Sequence, residues 1–391
     1  MLNRRTLRIK AMQAIYAYNQ AEGSDYLMAL DRIEDDFAPD LNSMEVQNKQ
    51  LLEGKKQIAT LLFKEWYETR KFDTEETEKE ILDSVNSAIA FYQNQVKKDF
   101  KFFGNQMLSA VETIYDHYLI ILKITEEVLK QIELDEVKKA TRYTVKKEQD
   151  FRRLTENKVI QQLVNNKNLQ QLIIRRNISW EKDIDLIVQF YRTVLKQDET
   201  VLAYLANPEE QTFEADKEIA KYIFKTLIFK DKNLQAWFEE QDLNWEENKP
   251  IVKSLVMKTV KMIEENTDEN LALLDLSTNW EDDKAFFEEL YHKTVEDDEK
   301  YEAMISAGVK NWDIERVAII DKIILKMALC EMHIFRSIPV KVTINEYIEI
   351  SKLYSTPKSK QFINGVLDKL AQDLTDSGAI RKSGRGLIDN K

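Results

Sequence analysis

Polar and apolar residues alternate over residues 3–19 with the period of one helical face. Leu7, Ala11, Ala14, Ile15 and Tyr18 fall at the i, i+4, i+7, i+8, i+11 spacing of a buried stripe. Beside it runs a second strip of Arg5, Arg8, Met12 and Tyr16. Two cations with an aromatic ring further along the strip can hold phosphate and stack a base; an ordinary solvated face with a Tyr at its edge gives the same pattern. Residues 21–210 carry long helical patterns with acidic and Lys-rich faces, interrupted by a basic stretch from Lys138 to Lys158 with eight Lys/Arg against three acids. Charge of that kind usually marks an exposed helix or loop. Beyond residue 211 the patterns shorten, to roughly 214–229, 232–241, 246–265, 281–306, 312–335, 340–354 and 357–375.

The pattern at 314–332 is apolar nearly all round, which predicts the centre of a bundle. Its polar stripe is Glu315, Lys322, Lys326 and His333. Asp321 lies off that stripe among Ala318, Leu325 and Ala328, so it needs a cation or several hydrogen bonds, inside the protein or on a partner. In the last helix Thr356 is the expected cap and Pro357 the first helical residue, with Lys358 and Lys360 projecting from the opening turn. Phe362, Val366, Leu370 and Leu374 are the expected buried stripe, and close backbone packing is the expected reason for Gly365. Four helix starts share one signature, a capping residue followed by Trp and an acid, at Ser179, Asn244, Asn279 and Asn311. Each Trp is expected to pack back on a neighbouring helix.

The 391 residues allow two or three domain-sized units. Eight Gly and five Pro, with no Pro between Pro39 and Pro208, leave few of the punctuators that turns and sheets require, so an all-α chain is expected. A single cysteine, Cys330, excludes an internal disulfide framework. No run is apolar enough for a membrane span, and polar residues break up the N-terminal pattern where a signal peptide would be apolar, so a cytoplasmic protein is expected. The net charge of −12 argues against a surface coated in nucleic acid, but it is uneven. Residues 1–10 hold four cations and no acid, and residues 316–391 hold 13 Lys/Arg against 8 Asp/Glu, so two basic ends flank an acidic body. The three histidines, His117, His292 and His333, have no metal-ligand spacing to one another or to Cys330. No phosphate-binding Gly-rich loop or nucleophile motif occurs either, so no catalytic residues, metal or cofactor are expected and an enzyme is disfavoured.

Four strings then point to a family. NWDIERVAIIDKIILKMALCEM (311–332), SIPVKVTINEYIEISKLYS (337–355), FINGVLDKL (362–370) and the basic RRTLRIKAMQAIYAYNQ (4–20) occur in the order found in the NusB family of transcription antitermination factors, which this chain resembles. The resemblance implies an all-helical fold of two small packed bundles. It implies binding to single-stranded boxA-type RNA of nascent ribosomal RNA transcripts, together with a NusE-type small-subunit ribosomal protein, within the RNA polymerase antitermination complex. Carried over residue by residue, Arg4, Arg5, Arg8, Tyr16, Lys358 and Phe362 become the RNA-binding set. Tyr16, Asp321 and Lys322 become the partner-binding set. The domain plan that follows is a NusB-type basic N-terminal helix at 1–20, an extra helical region of unknown role at 21–210, a NusB-like core at 211–375 and a flexible basic tail at 376–391. The basic start departs from the family in that Thr6 interrupts it, and the extra region replaces what is normally a short link.

Two other classes compete. A helical protein-interaction scaffold without RNA binding shares the fold, and the sequence leaves homodimer formation open. An RNA methyltransferase would need a cofactor domain with a Gly-rich turn after a strand, and the sequence has none.

Overall fold

Helices make up every regular element that the computed structural model describes, which covers residues 2–42, 44, 46–72, 77–140, 149–308 and 317–388. In chain order they are α1 (Arg4–Asp36), α2 (Lys49–Thr69), α3 (Lys79–Ala140), α4 (Arg152–Thr155), α5 (Lys158–Val164), α6 (Lys167–Arg175), α7 (Ile184–Thr193), α8 (Glu199–Ala206), α9 (Phe213–Tyr222), α10 (Lys232–Gln241), α11 (Trp245–Met262), α12 (Trp280–Glu296), α13 (Asp298–Gly308), α14 (Ile319–Ile334), α15 (Val340–Tyr354) and α16 (Ser359–Asp376). The fold is all-α. The chain divides into two compact units, one made of Met1–Asn3 and Ala110–Asp283, the other of Arg4–Ser109 and Lys284–Lys391. The divisions fall inside α3 and α12, at residues 109/110 and 283/284.

In the first unit the helices are short because capping residues recur along the chain. Asn157, Asn166, Asp198, Thr212 and Asp231 each accept the backbone N–H three residues onward and so fix a new helix start. Two of the Trp starts, Trp180 and Trp245, pack on neighbouring helices as expected. Trp180 is buried and donates its indole N–H to the Ile120 carbonyl of α3 at 3.0 Å. Trp245 is fully buried, stacks on Phe238 with centroids 4.3 Å apart, and donates to Gln235 Oε1 at 3.0 Å. Trp280 opens α12 and is half-buried; Asn311 and Trp312 lie outside the described residues.

The second unit begins with α1, which runs to Asp36 and not only to residue 19. Asn19, Gln20 and Gly23 interrupt the sequence pattern, but the buried face resumes at Ala29 and Ile33. There it joins Phe37, directly after α1, Ala59, Phe63 and Trp66 of α2 and Ile81, Val85 and Tyr92 of α3 in one apolar cluster. Asn48 caps α2 by accepting from Gln50 N and Leu51 N, and Arg70, at φ 60°, closes it.

Asp25 sits on the buried side of α1, and its Oδ2 accepts no hydrogen bond among the described residues. Burial, then the charges of Asp99 and Glu22, push its carboxyl up from 3.8 to about 6. Between those pH values the native carboxyl keeps a proton that the unfolded chain has lost, so stability falls as pH rises through the window. Asp25→Asn should therefore raise the denaturation midpoint above pH 6, and the gain should vanish below pH 3.8. Denaturant titrations at those two extremes check this.

The remainder of this unit packs around α14, whose residues Ile323 to Met332 are all buried; its apolar residues follow the pattern, whereas Lys326, expected on the polar stripe, and Glu331 are buried with them. Its opening is less buried: Ile319 is half exposed, and Ile314 and Glu315 lie outside the described residues. In α16 the buried stripe is Ile363, Leu367, Leu370 and Ala371; Phe362, Val366 and Leu374 are half-buried at its edge. Gly365 is exposed, with no atom within 4 Å of where a Cβ would stand. The close approach expected there occurs instead at Gly308, where a Cβ would lie 2.6 Å from the Leu370 side chain. Past α16 the chain is docked as far as Gly386, which is buried against the Arg336 carbonyl, where its composition predicts flexibility. Ile380 is buried, Ser383 N donates to the Arg336 carbonyl at 3.0 Å, and Lys382 Nζ donates to the Phe335 carbonyl at 3.1 Å.

Candidate functional site

The opening of α1 lies against α14 and α15, although residue 8 and its partner are 323 positions apart in the chain. Arg8 is 3% exposed and forms two parallel bonds to Glu331, Nε to Oε2 and Nη2 to Oε1, both 2.7 Å. Glu331 is fully buried and also accepts from Thr343 Oγ1 at 2.8 Å and Tyr347 OH at 3.3 Å. Burial works against the charge on Arg8, but the hydrogen bonds and charge of Glu331 outweigh it, and the guanidinium is held well above its ordinary value. Arg8 thus corrects one expectation: it is an internal strut, with Nε and Nη2 bonded to Glu331 and Nη1 3.7 Å from Glu346. Met12 of the same strip is buried too.

One turn earlier the arrangement opens to solvent. Arg5 makes a second two-pronged pair, Nε and Nη2 to Glu346 at 2.8 Å each, and that hydrogen bonding raises its pKa. Its side chain remains 40% exposed. Arg4 is exposed and lies over the Phe286 ring, 4.8 Å from its centroid. Tyr16 is 41% exposed further along α1. Lys358, directly before α16, is exposed, and Phe362 is half-buried one turn into that helix. The structure therefore puts Arg4, Arg5, Tyr16, Lys358 and Phe362 on the surface or its edge within one compact unit.

Asp321 is 5% exposed and accepts from Ser355 Oγ, which lies 2.9 Å from Ser359 Oγ. The carboxylate therefore ties the start of α14 to the turn between α15 and α16, and its partner is internal. Helix α16 starts at Ser359, two residues after the expected Pro357. Lys322 lies 3.6 Å from Glu302 and remains partly exposed. The neighbouring Lys326 is buried between Asp298 and Glu302, both 2.8 Å away. Burial lowers the Lys326 pKa, but the bonds to Asp298 and Glu302 more than offset this and leave it raised. Lys322, Lys326, Glu302 and Asp298 line a groove of about 590 Å³ together with Asn19 and Gln20 of α1.

Sequence reasoning missed Glu331, Glu346 and Phe286, the groups that hold the basic start in place. Glu331 carried a readable signal, as an acid inside an otherwise apolar run that must recruit a cation. The basic stretch at 138–158 falls partly outside the described residues, which omit 141–148. Where it is described, Arg152 pairs with Asp150, Lys158 pairs with Glu265, and Arg153 donates to the Asn207 and Glu209 carbonyls. Among the described residues no group of three His, Cys, Asp or Glu side chains could hold a metal ion. None of the described helices is long and apolar enough to cross a membrane. Cys330 is fully buried, and burial pushes its thiol up to about 12.

Residues 251–372, from α11 into α16, match the family model of the NusB family. Among curated proteins, the chain is similar to the transcription antitermination protein NusB of Salinibacter ruber, 45% identical over 95 residues, or 24% of this chain and 59% of the relative. The protein of the same name from Chloroherpeton thalassium is 42% identical over 95 residues, 24% of this chain and 45% of the relative. That of Bacillus mycoides is 44% identical over 80 residues, 20% of this chain and 62% of the relative. The chain thus spans about half to three fifths of the length of these relatives. No solved structure matches the chain.

Proposed function

Residues 251–372 match the NusB family model, and from that premise we propose that the chain is a transcription antitermination factor. It binds boxA-type RNA of nascent ribosomal transcripts together with a NusE-type ribosomal protein. The observation that carries this reading is the docking of the basic start of α1 onto the matched region by the Arg8–Glu331 and Arg5–Glu346 pairs. It gathers cations from both basic ends of an acidic chain into one unit, as a local anionic partner requires. Arg4, the open edge of Arg5 and Lys358 supply phosphate contacts, with Tyr16 and Phe362 as stacking faces for single-stranded bases. Arg8 serves this site from below by fixing the helix. The ribosomal protein docks beside Tyr16 and Lys322, and Asp321 shapes that surface through the turn it holds.

The test is a titration of labelled boxA-type RNA and a scrambled control, with and without the organism's NusE-type protein, at two salt concentrations. Binding should prefer the boxA-type sequence, tighten with the partner and weaken with salt. Arg4→Ala/Lys358→Ala should flatten the log–log salt dependence by about 1.4, at about 0.7 for each single-strand phosphate left without its cation. Equal affinity for both RNAs in every arrangement would remove the reading.

A further inference from the structure

The half of α3 that belongs to the second unit carries a surface feature that the site above does not use. Asn94, Lys97, Lys98, Lys101, Phe102 and Asn105 follow the spacing i, i+3, i+4, i+7, i+8, i+11, and all six are exposed. They form one stripe about 17 Å long on a single helix face. In a chain with 69 acids, Asp99 is the only acid between Ser84 and Val111. Asp99 belongs to another face of the helix, where its charge is felt by Asp25 and Tyr291. Many lysines of this protein neutralise an acid three or four residues away, as Lys56, Lys130, Lys293 and Lys352 do. Among the described residues no ion pair includes Lys97, Lys98 or Lys101; Lys98 donates to Gln95 Oε1 at 3.1 Å.

Phe102 is the second half of the observation. It is 52% exposed and meets Phe103 only edge to face, with centroids 5.2 Å apart. Phe100, from the opposite side of α3, stacks on Tyr291 at 5.3 Å and meets Tyr18 at 6.1 Å. The helix is therefore held rigidly from below while its outer face presents three cations, two amides and an aromatic ring.

We propose that this stripe is a second contact surface for single-stranded RNA, reading the backbone through the lysines and stacking one base on Phe102 without sequence preference. An acidic protein would satisfy the lysines but leaves the ring without a counterpart, whereas single-stranded RNA supplies a phosphate and a π-face at every nucleotide. In the cell the stripe would extend the RNA path beyond the family domain, a step that rests on the function proposed above. The stripe itself is testable without it.

The full chain is titrated with a labelled uridine oligomer, which carries no boxA sequence, at two salt concentrations. Lys97→Gln/Lys98→Gln/Lys101→Gln should flatten the log–log salt dependence by about 2. Phe102→Ala should weaken binding by about five- to hundredfold, the range for one stacked base. Lys49→Gln/Lys64→Gln/Lys71→Gln, which removes equal charge from exposed positions elsewhere in the same unit, should match wild type. Absence of uridine binding by the wild-type chain overturns the proposal. So does wild-type affinity in the stripe variants, or equal weakening in the control triple. Displacement of the RNA by polyglutamate while Phe102→Ala binds normally would point to an acidic protein instead, and also overturns it. Loss of uridine binding in the stripe variants supports the stripe even where boxA preference is absent, so the two readings fail separately.

Discussion

Arg8→Ala is expected to destabilise its unit by about 3–5 kcal/mol, the cost of stranding one member of a buried ion pair. The cavity is secondary. The larger loss comes from Glu331, which would remain fully buried as a carboxylate with only Thr343 and Tyr347 to satisfy it. Glu331→Gln should be comparably damaging, because it strands the guanidinium instead. Replacing both, as Arg8→Met/Glu331→Met, should recover most of the loss, since apolar pairs of similar volume often equal or exceed a buried ion pair. With two units present, global unfolding need not be two-state, so hydrogen exchange of α1, α14 and α15 is the better readout. A cost below about 1 kcal/mol would mean that the pair behaves as a surface salt bridge. The same variant also separates strut from phosphate ligand. Arg8→Ala should lose RNA affinity only in proportion to the unfolded population, with the salt slope of the folded fraction unchanged.

Trp245→Ala should have an effect of the same size in the other unit, about 3–5 kcal/mol for deleting a buried aromatic side chain. The ring is packed between the stacked face of Phe238 and the edge of His117, whose centroid is 5.3 Å away. Its removal would also leave the buried Gln235 without its indole donor. Trp245→Phe keeps most of the apolar contact and loses the hydrogen bond, so about 1–2 kcal/mol is expected. Near-UV circular dichroism through a denaturant titration, with exchange protection in α10 and α11, distinguishes the two variants.

What the sequence made legible depended on whether its signals were local. The all-α class and the greasy helix α14 follow from periodicity and missing Gly and Pro, and the burial of Trp180 and Trp245 from their apolar rings, signals that act within a few turns; the expected capping bond of Asn244 does not form. The full length of α1 was less legible, because Gly23 and the polar residues before it break the pattern that tertiary packing then overrides at Ala29 and Ile33. The buried stripe of α16 keeps the expected Leu370 but turns from Phe362 and Val366 to Ile363 and Leu367, since Phe362 and Ile363 are both apolar and only packing chooses between them. In the candidate site, exposure was readable for Arg4 and Lys358. The burial of Arg8 was not, because its partner Glu331 lies more than three hundred residues away and no local pattern links them. Gly365 and Gly308 make the same point: a glycine signals freedom, but only the fold says which one is approached.

The nested connectivity has a consequence during synthesis. Residues 110–283 form nearly all of one unit and are translated between the two parts of the other. At about 5–20 residues per second, Arg8 leaves the ribosome roughly 15–65 seconds before Glu331 is made. Throughout that interval the first helix carries a cation whose buried partner does not yet exist, beside Leu7, Ala11 and Ile15 with no α14 to cover them. The intervening unit can finish folding in that time, while the earlier one waits for the C-terminal helices. Nascent chains stalled before residue 331 should therefore show α1 open to protease and to chaperones, with α4–α11 already protected.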